Sequence, residues 1–236
     1  MSVSIISLDR VRFRWRDSAG DVIHIETFTV DKHEKLFIKG PSGCGKSTLL
    51  NLIAGVFEPT GGDIHILGKS ITQLSQAQRD VFRADHIGFV FQQFNLLPYL
   101  SLIDNVILPC HFSKQRKQQV LSDYSSLAAA ASELLSQLGI VGDDLNKNNV
   151  MQLSVGQQQR VAVARALMGS PEIVIADEPT SALDEDAQAD FLKLLFELSD
   201  KRGCALLFVS HNRQLESMFD RVVSLPELNQ AEQGVA

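Results

Sequence analysis

Short apolar or alternating stretches, each closed by a glycine or a polar turn, recur along this chain. Within residues 1–35, VRFRW (11–15), VIHI (22–25) and FTV (28–30) alternate apolar and polar positions, the period of half-buried strands, and predict an antiparallel β entry. KLFIKG (35–40) predicts a strand running into a glycine-rich turn, and KSTLLNLIAG (46–55), apolar at 49, 50, 52 and 53, a helix stopped by Gly55. IHIL (64–67), IGFVF (87–91), EIVIA (172–176), ALLFV (205–209) and RVVSL (221–225) predict further strands, several apolar throughout, as strands covered on both faces of a parallel sheet are. From about 95 to 168 the pattern becomes helical and rich in Ala, Leu and Gln, with SSLAAAASELLSQLG (125–139) ending at Gly139. Within it, SKQRKQQ (113–119) reads as a solvated helix face or turn and GDDLNKNN (142–149) as a loop; PELNQAEQGVA (226–236) reads as a polar tail.

Composition narrows the function classes. The 236 residues are 44% hydrophobic and 21% charged, an ordinary globular balance that is long enough to bury a substantial core. A net charge of −6 gives no basic footprint for DNA or RNA, so no nucleic-acid partner is expected. Cys44, Cys110 and Cys204 stand singly, without the spacing of a zinc site or a disulfide framework. No apolar run reaches the roughly 18 residues of a membrane span, and the first residues lack a basic segment followed by a long apolar one, so the chain is expected neither to cross a membrane nor to be exported.

Two stretches carry chemistry. GPSGCGKS (40–47) fits G-x-x-x-x-G-K-[ST] between a predicted strand and a predicted helix. Gly40, Gly43 and Gly45 let the backbone curl so that N–H groups of Gly40, Pro41's successors Ser42 to Cys44, and Gly45 to Thr48 face phosphate; Lys46 brings positive charge to the β/γ oxygens and Ser47 offers an oxygen to Mg²⁺. EIVIADEPTSALD (172–184) is an apolar strand ending in adjacent carboxylates. Asp177 is expected to hold Mg²⁺ or its water shell, and Glu178 to orient and deprotonate an attacking water. Phosphoryl transfer then depends mainly on positioning and charge neutralisation.

With these stretches in place, the chain resembles the nucleotide-binding subunits of ABC transporters over roughly residues 5–225, with the family's motifs in order. LSVGQQQR (153–160) is similar to the signature sequence, IGFVFQQ to the glutamine loop, SALD to the D-loop and FVSHN to the switch histidine. The resemblance implies an α/β P-loop NTPase fold of RecA-like type: a mostly parallel core sheet, an N-terminal antiparallel β subdomain and an inserted helical subdomain, all one ATPase domain over 1–225. It implies ATP and Mg²⁺ as cofactors, and a head-to-tail homodimer or pseudo-dimer in which each ATP lies between one copy's phosphate loop and the other's signature helix. Ser154, Gly156 and Gln157 would meet the γ-phosphate across that interface, helped by the positive end of the helix.

Other roles follow by position in the same family. Trp15 matches the aromatic that stacks on adenine, with Phe13 the other candidate. Gln92 matches the residue that approaches Mg²⁺ or water, and His211 the histidine that contacts the γ-phosphate, so Glu178, His211, Gln92 and Lys46 form the expected catalytic group. Asp184 would shape the site from across the dimer. The other five histidines, at 24, 33, 65, 86 and 111, read as surface or satisfied residues. Val155 stands where the family usually has Gly and is expected at negative φ; Asn212 follows the switch histidine where an acidic residue is common.

FVFQQFNLLPYLSLIDNVILP (89–109) resembles the lipoprotein-releasing and macrolide-exporter group most, while TSALD (180–184) is closer to the amino-acid importer branch. Either implies a peripheral subunit at the cytoplasmic face of a membrane, a bacterial inner membrane by the first resemblance, docked on an integral permease near residues 92–109. Phe94, Leu96, Leu97, Pro98, Tyr99 and Leu100 are then either core or an exposed patch that receives the partner. A soluble ABC ATPase acting on ribosomes or DNA would be expected to carry tandem domains or basic arms, and a P-loop kinase would leave residues 153–160 unexplained.

Overall fold

A computed structural model of the chain describes residues 4–16, 20–142, 149–181 and 183–231. In chain order the strands are β1 (Ser4–Phe13), β2 (Ile23–Asp31), β3 (Lys35–Lys39), β4 (Gly61–Ile66), β5 (Lys69–Ser70), β6 (Ile87–Val90), β7 (Ile173–Asp177), β8 (Ala205–Val209) and β9 (Arg221–Ser224). The helices are α1 (Lys46–Ile53), α2 (Gln76–His86), α3 (Leu102–Ile107), α4 (Pro109–Phe112), α5 (Lys114–Asp123), α6 (Leu127–Gln137), α7 (Val155–Leu167), α8 (Glu185–Arg202) and α9 (Leu225–Leu228). Two compact units divide the chain, Met1–Arg83 with Ala205–Ala236, and Ala84–Cys204. The α/β class expected from the sequence is the one observed.

In the first unit, β2, β1, β4 and β5 form an antiparallel sheet in that order. Cross-strand apolar pairs such as Val11 with Ile25 and Leu8 with Ile64 set its register, because a slip by one residue would turn every buried side chain outward. VIHI and FTV, read as separate strands, belong to one strand, β2, and IHIL (64–67) joins this antiparallel sheet. The antiparallel part of the fold therefore extends beyond residues 1–35, because β4 returns to β1 after the phosphate loop and α1. A separate parallel set pairs β3 with β8 and β9; β8 is buried throughout and β3 at its three central residues, while β9 is half-buried. Phe37, Phe208 and Phe219 form a ring cluster against it, with centroids 5.1–6.0 Å apart.

The tail is also more ordered than its polarity suggests. Pro226 sits in the first turn of α9, and the Asn229 side chain accepts from His24 N at 2.7 Å and donates to Val22 O at 2.8 Å. The Asn229 amide thus ties the tail to β2, together with Gln230 N, which donates to His24 O at 2.7 Å. Residues 232–236 of the expected tail lie outside the described residues.

In the second unit, β6 and β7 are parallel neighbours, and helices α3 to α7 fall within the stretch expected to be helical. Gly139 is at φ 75 past the end of α6, and Ile140 N closes back to Leu135 O at 2.9 Å, the left-handed stop expected of a glycine there. SKQRKQQ is helical from Lys114, capped by Ser113, yet Arg116 is only 2% exposed. Its Nε donates to Asp85 O at 3.1 Å and its Nη1 to Met168 O at 3.2 Å, and burial pushes its pKa down to about 10. A run that is polar in every letter therefore hides two buried residues, Ser113 and Arg116, the charge of Arg116 being shared among backbone carbonyls. Residues 143–148 of GDDLNKNN lie outside the described residues. Among the described residues no helix is long and apolar enough to cross a membrane.

Helix α7 is buried at Gln159 and continuously from Val161 to Leu167, and it packs so closely on β6 that a Cβ on Gly88 would stand 2.2 Å from Ala166 O. Backbone on backbone cannot yield as a flexible side chain can. Gly88→Ala is accordingly expected to destabilise the protein by about 2–3 kcal/mol, read as a lowered denaturant midpoint at unchanged slope.

Candidate functional site

The phosphate loop leaves β3 and enters α1. Gly43 and Gly45 have φ of 81 and 99, a left-handed geometry that only glycine adopts without cost, and Gly45 caps α1 with no side-chain bond to its first amides. The turn thus presents backbone N–H groups, as a phosphate cradle requires. Lys46 is 7% exposed, and its Nζ donates to Gly40 O and Pro41 O, both at 2.9 Å. The ammonium is thereby held over its own loop. Ser47, beside it at the start of α1, is exposed.

The same unit carries Trp15 and His211. Trp15 is 45% exposed, whereas Phe13 is 7% exposed, which separates the two candidates for the adenine: Phe13 is core, and Trp15 offers an open ring. Phe57, which no periodicity marks because it follows the glycine stop of α1, completes the arrangement. It stacks on Phe13 at 5.5 Å and meets Trp15 edge-on at 5.1 Å, fixing the indole with two edge contacts. His211 is exposed after β8, and Asn212 caps the 3₁₀ helix Arg213–Met218 by accepting from Gln214 N at 3.1 Å. Capping explains a short polar side chain at 212 without a charge. Lys39, ending β3, pairs with Glu216 of that 3₁₀ helix at 2.9 Å, so the entry to the phosphate loop and the histidine segment are linked within one unit.

In the second unit, β7 is buried from Ile173 to Ala176 and delivers Asp177 and Glu178 half-buried at its end. Glu178 has φ 47, a left-handed conformation that costs an L-residue about 1 kcal/mol or more. The turn after it is held by two buried amides: Gln159 Nε2 donates to Pro179 O at 2.8 Å, and Gln188 Nε2 to Leu183 O at 2.9 Å and Thr180 O at 3.2 Å. Neither glutamine stands out by sequence, since both sit in polar helical runs. If strain is stored at Glu178, Glu178→Gly should be more stable than Glu178→Ala by about 1 kcal/mol despite glycine's greater unfolded-state freedom; equal melting of the two variants would contradict this.

Gln92 is exposed in the turn after β6, which Phe94 N closes onto Phe91 O at 2.9 Å. Beyond it, Phe94 is buried at 8% while Tyr99 is 78% exposed, Pro98 is exposed and Leu96, Leu97 and Leu100 are half-buried. The stretch is thus partly core and partly surface. Asn105, fully buried, accepts from Leu97 N at 2.8 Å and donates to Leu97 O at 3.0 Å, so the exposed loop is pinned from beneath.

Residues 153–160 form a capped helix start. Ser154 Oγ accepts from Gln157 N at 3.2 Å, and Gln157 Oε1 accepts from Ser154 N at 3.0 Å, a reciprocal capping box. Because the hydroxyl oxygen is the acceptor there, its proton remains to be donated outward. Val155 is the first residue of α7 and is 49% exposed; its φ is not positive, as expected. Gly156 is helical, and a Cβ there would meet nothing within 4 Å. Asp184 caps α8 by accepting from Ala187 N at 2.8 Å, a local role in addition to the one expected of it.

Comparison with known proteins matches these features. A family model described as ABC transporter matches residues 23–181. The lipoprotein-releasing system ATP-binding protein LolD of Syntrophotalea carbinolica is 37% identical over 207 residues, covering 88% of this chain and 87% of that protein. The macrolide export ATP-binding/permease protein MacB of Rhodopirellula baltica is 37% identical over 203 residues, which cover 85% of this chain but 28% of that longer protein. A dimeric solved structure, a post-hydrolysis state of the ATP-binding cassette MJ0796 bound to ADP and Pi, aligns with a TM-score of 0.79 at 31% identity, covering 96% of this chain and 97% of that one.

Proposed function

This chain belongs to the ABC transporter family as an ATP-binding, ATP-hydrolysing subunit, and on that premise we propose that two copies close head to tail around two ATP molecules to drive a separate membrane subunit. Residues 1–225 act as one ATPase domain. Trp15 stacks on adenine. The backbone N–H groups of residues 40–48 other than Pro41, which has none, and the Lys46 ammonium hold the phosphates, and Glu178 takes the proton of the attacking water. His211 and Gln92 contact the γ-phosphate and the water, and Ser154, Gly156 and Gln157 close on the γ-phosphate from the other copy, with Asp184 beside them.

Among the described residues no cluster of three or more His, Cys, Asp or Glu side chains could hold a metal by itself. Ser47, Gln92 and Asp177 are hard oxygen donors of the kind Mg²⁺ accepts alongside phosphate oxygens. Bound there, the ion would neutralise charge on the β/γ-phosphates.

The observation that carries this reading is Gly156. Glycine costs up to about 1 kcal/mol relative to alanine inside a helix, and among the described residues nothing lies within 4 Å of where a Cβ on Gly156 would stand. That open position leaves room for a phosphate brought up by another copy, which supports the reading. Gly156→Ala is expected to stabilise the isolated chain by about 0.5–1 kcal/mol while weakening ATP-dependent dimerisation and turnover. A variant that dimerises and hydrolyses ATP like the parent would overturn the reading.

The names of the LolD and MacB relatives favour the lipoprotein-releasing or macrolide-export type of partner. We place the permease on the exposed part of residues 92–109, around Tyr99, with the subunit peripheral on the cytoplasmic face of a bacterial inner membrane.

A further inference from the structure

Helix α7 starts at the exposed turn of Ser154 and Gly156, and further along it grips two other segments. The three successive glutamines of LSVGQQQR have different tasks. Gln157 closes the capping box and Gln158 Nε2 donates to Leu153 O at 3.0 Å, both local to the helix start. Gln159, 1% exposed, instead reaches the carbonyl of Pro179, next to Glu178. Arg165, 8% exposed, donates from Nη1 to Asn95 O at 2.6 Å and from Nη2 to Phe94 O at 2.5 Å. Burial lowers the Arg165 pKa, because desolvation disfavours the charged form.

Both gripped segments are left-handed at residues other than glycine: Glu178 at φ 47, Phe94 at φ 58 and Asn95 at φ 49. Such conformations persist only where surrounding contacts over-determine them, and the α7 side chains supply those contacts. A hydrogen-bonded helix of 13 residues, buried along its second half, transmits a displacement of its first turn instead of absorbing it.

We propose that α7 is a strut that couples the Ser154–Gly156 turn to the turn carrying Glu178 and to the loop following Gln92, with Gln159 and Arg165 as the positioning residues. This rests on the reading that Ser154 and Gly156 engage the ATP of a second copy. Engagement of that nucleotide would then set Glu178 and the Gln92 loop of the same chain, so that one copy's ATP prepares the other copy's site.

Hydrogen exchange on the full chain, with and without the Mg²⁺ complex of a non-hydrolysable ATP analogue, separates the possibilities. In the unaltered chain, segments 153–158, 178–184 and 91–96 should all gain protection. In Gln159→Met the response at 178–184 should fall about tenfold while those at 153–158 and 91–96 persist; in Arg165→Met the loss should move to 91–96. Gln159→Met should also lower kcat about tenfold with KM for ATP within about twofold, with kcat counted per ATP-binding-competent molecule so that loss of folded protein does not mimic the fall. Arg165→Lys, which keeps the charge but not the two-carbonyl grip, should lie between parent and Arg165→Met and serves if the latter does not fold. Unchanged responses at 178–184 in Gln159→Met and at 91–96 in Arg165→Lys would overturn the strut alone, as would a uniform rise in exchange over the whole chain. No response at 153–158 in the unaltered chain would overturn the two-copy reading, and the strut with it.

Discussion

Glu178→Gln should bind ATP as the parent does, lower turnover by about 10²–10⁴-fold, and accumulate as an ATP-bound dimer. The carboxamide matches the carboxylate in size, so the left-handed turn held through Pro179 and Thr180 is undisturbed. What disappears is the acceptor for the water's proton. With the γ-phosphate retained, the contact that joins the two copies is not removed, and the closed state persists. Size exclusion in ATP together with phosphate release in a single turnover reports both effects. Brisk hydrolysis would remove Glu178 from the role of base, and a monomer under saturating ATP would remove the nucleotide from the role of adhesive.

The second large effect concerns two defects placed in different copies. Lys46→Ala removes the cation held over the phosphate loop, and Ser154→Arg places a bulky side chain at the exposed helix start. Each variant alone should be nearly inactive, since every site in its dimers is damaged. Mixed in equal amounts, half the dimers are heterodimers, in which both defects meet in one site and the other site is intact. Independent sites would return about one quarter of the parent's activity; with coupling through α7 the Glu178 of the intact site belongs to the Ser154→Arg copy and is left unprepared, so recovery should fall well below one quarter, and a full quarter would count against the coupling. Absence of any recovery would indicate that one intact site cannot work alone, as coupling through α7 would require. Ser154→Arg hydrolysing normally by itself would show that the signature turn takes no part.

Much of this was legible before any coordinates. The phosphate loop, the carboxylate pair and the signature are contiguous stretches whose chemistry is written in adjacent letters, and the first two follow apolar strand runs, one closed by Gly40 and the other by Asp177 and Glu178 themselves. What did not read out was everything that depends on residues distant in sequence. Arg116, in a run polar in every letter, is core because the carbonyls of Asp85 and Met168 surround it. Phe57 gains meaning only beside Phe13 and Trp15. Gln159 and Gln188 look like surface positions of helices until Pro179 and Leu183 are found against them, and Asn229 looks like tail until it meets β2.

The sequence by itself determined the fold class, the family, the order of the chemical stretches and the kind of reaction, because local spacing of glycine, lysine, carboxylate and apolar positions is enough to specify a phosphate loop and the strands around it. Only the tertiary structure decided which of two aromatics is open to a base, that IHIL joins the antiparallel sheet, and which buried amides and guanidinium hold the strained turns at 178 and 94–95. The buried polar groups among them must be satisfied when removed from water, and except for Gln188, whose partners Leu183 and Thr180 are close in sequence, those partners lie tens of residues away along the chain.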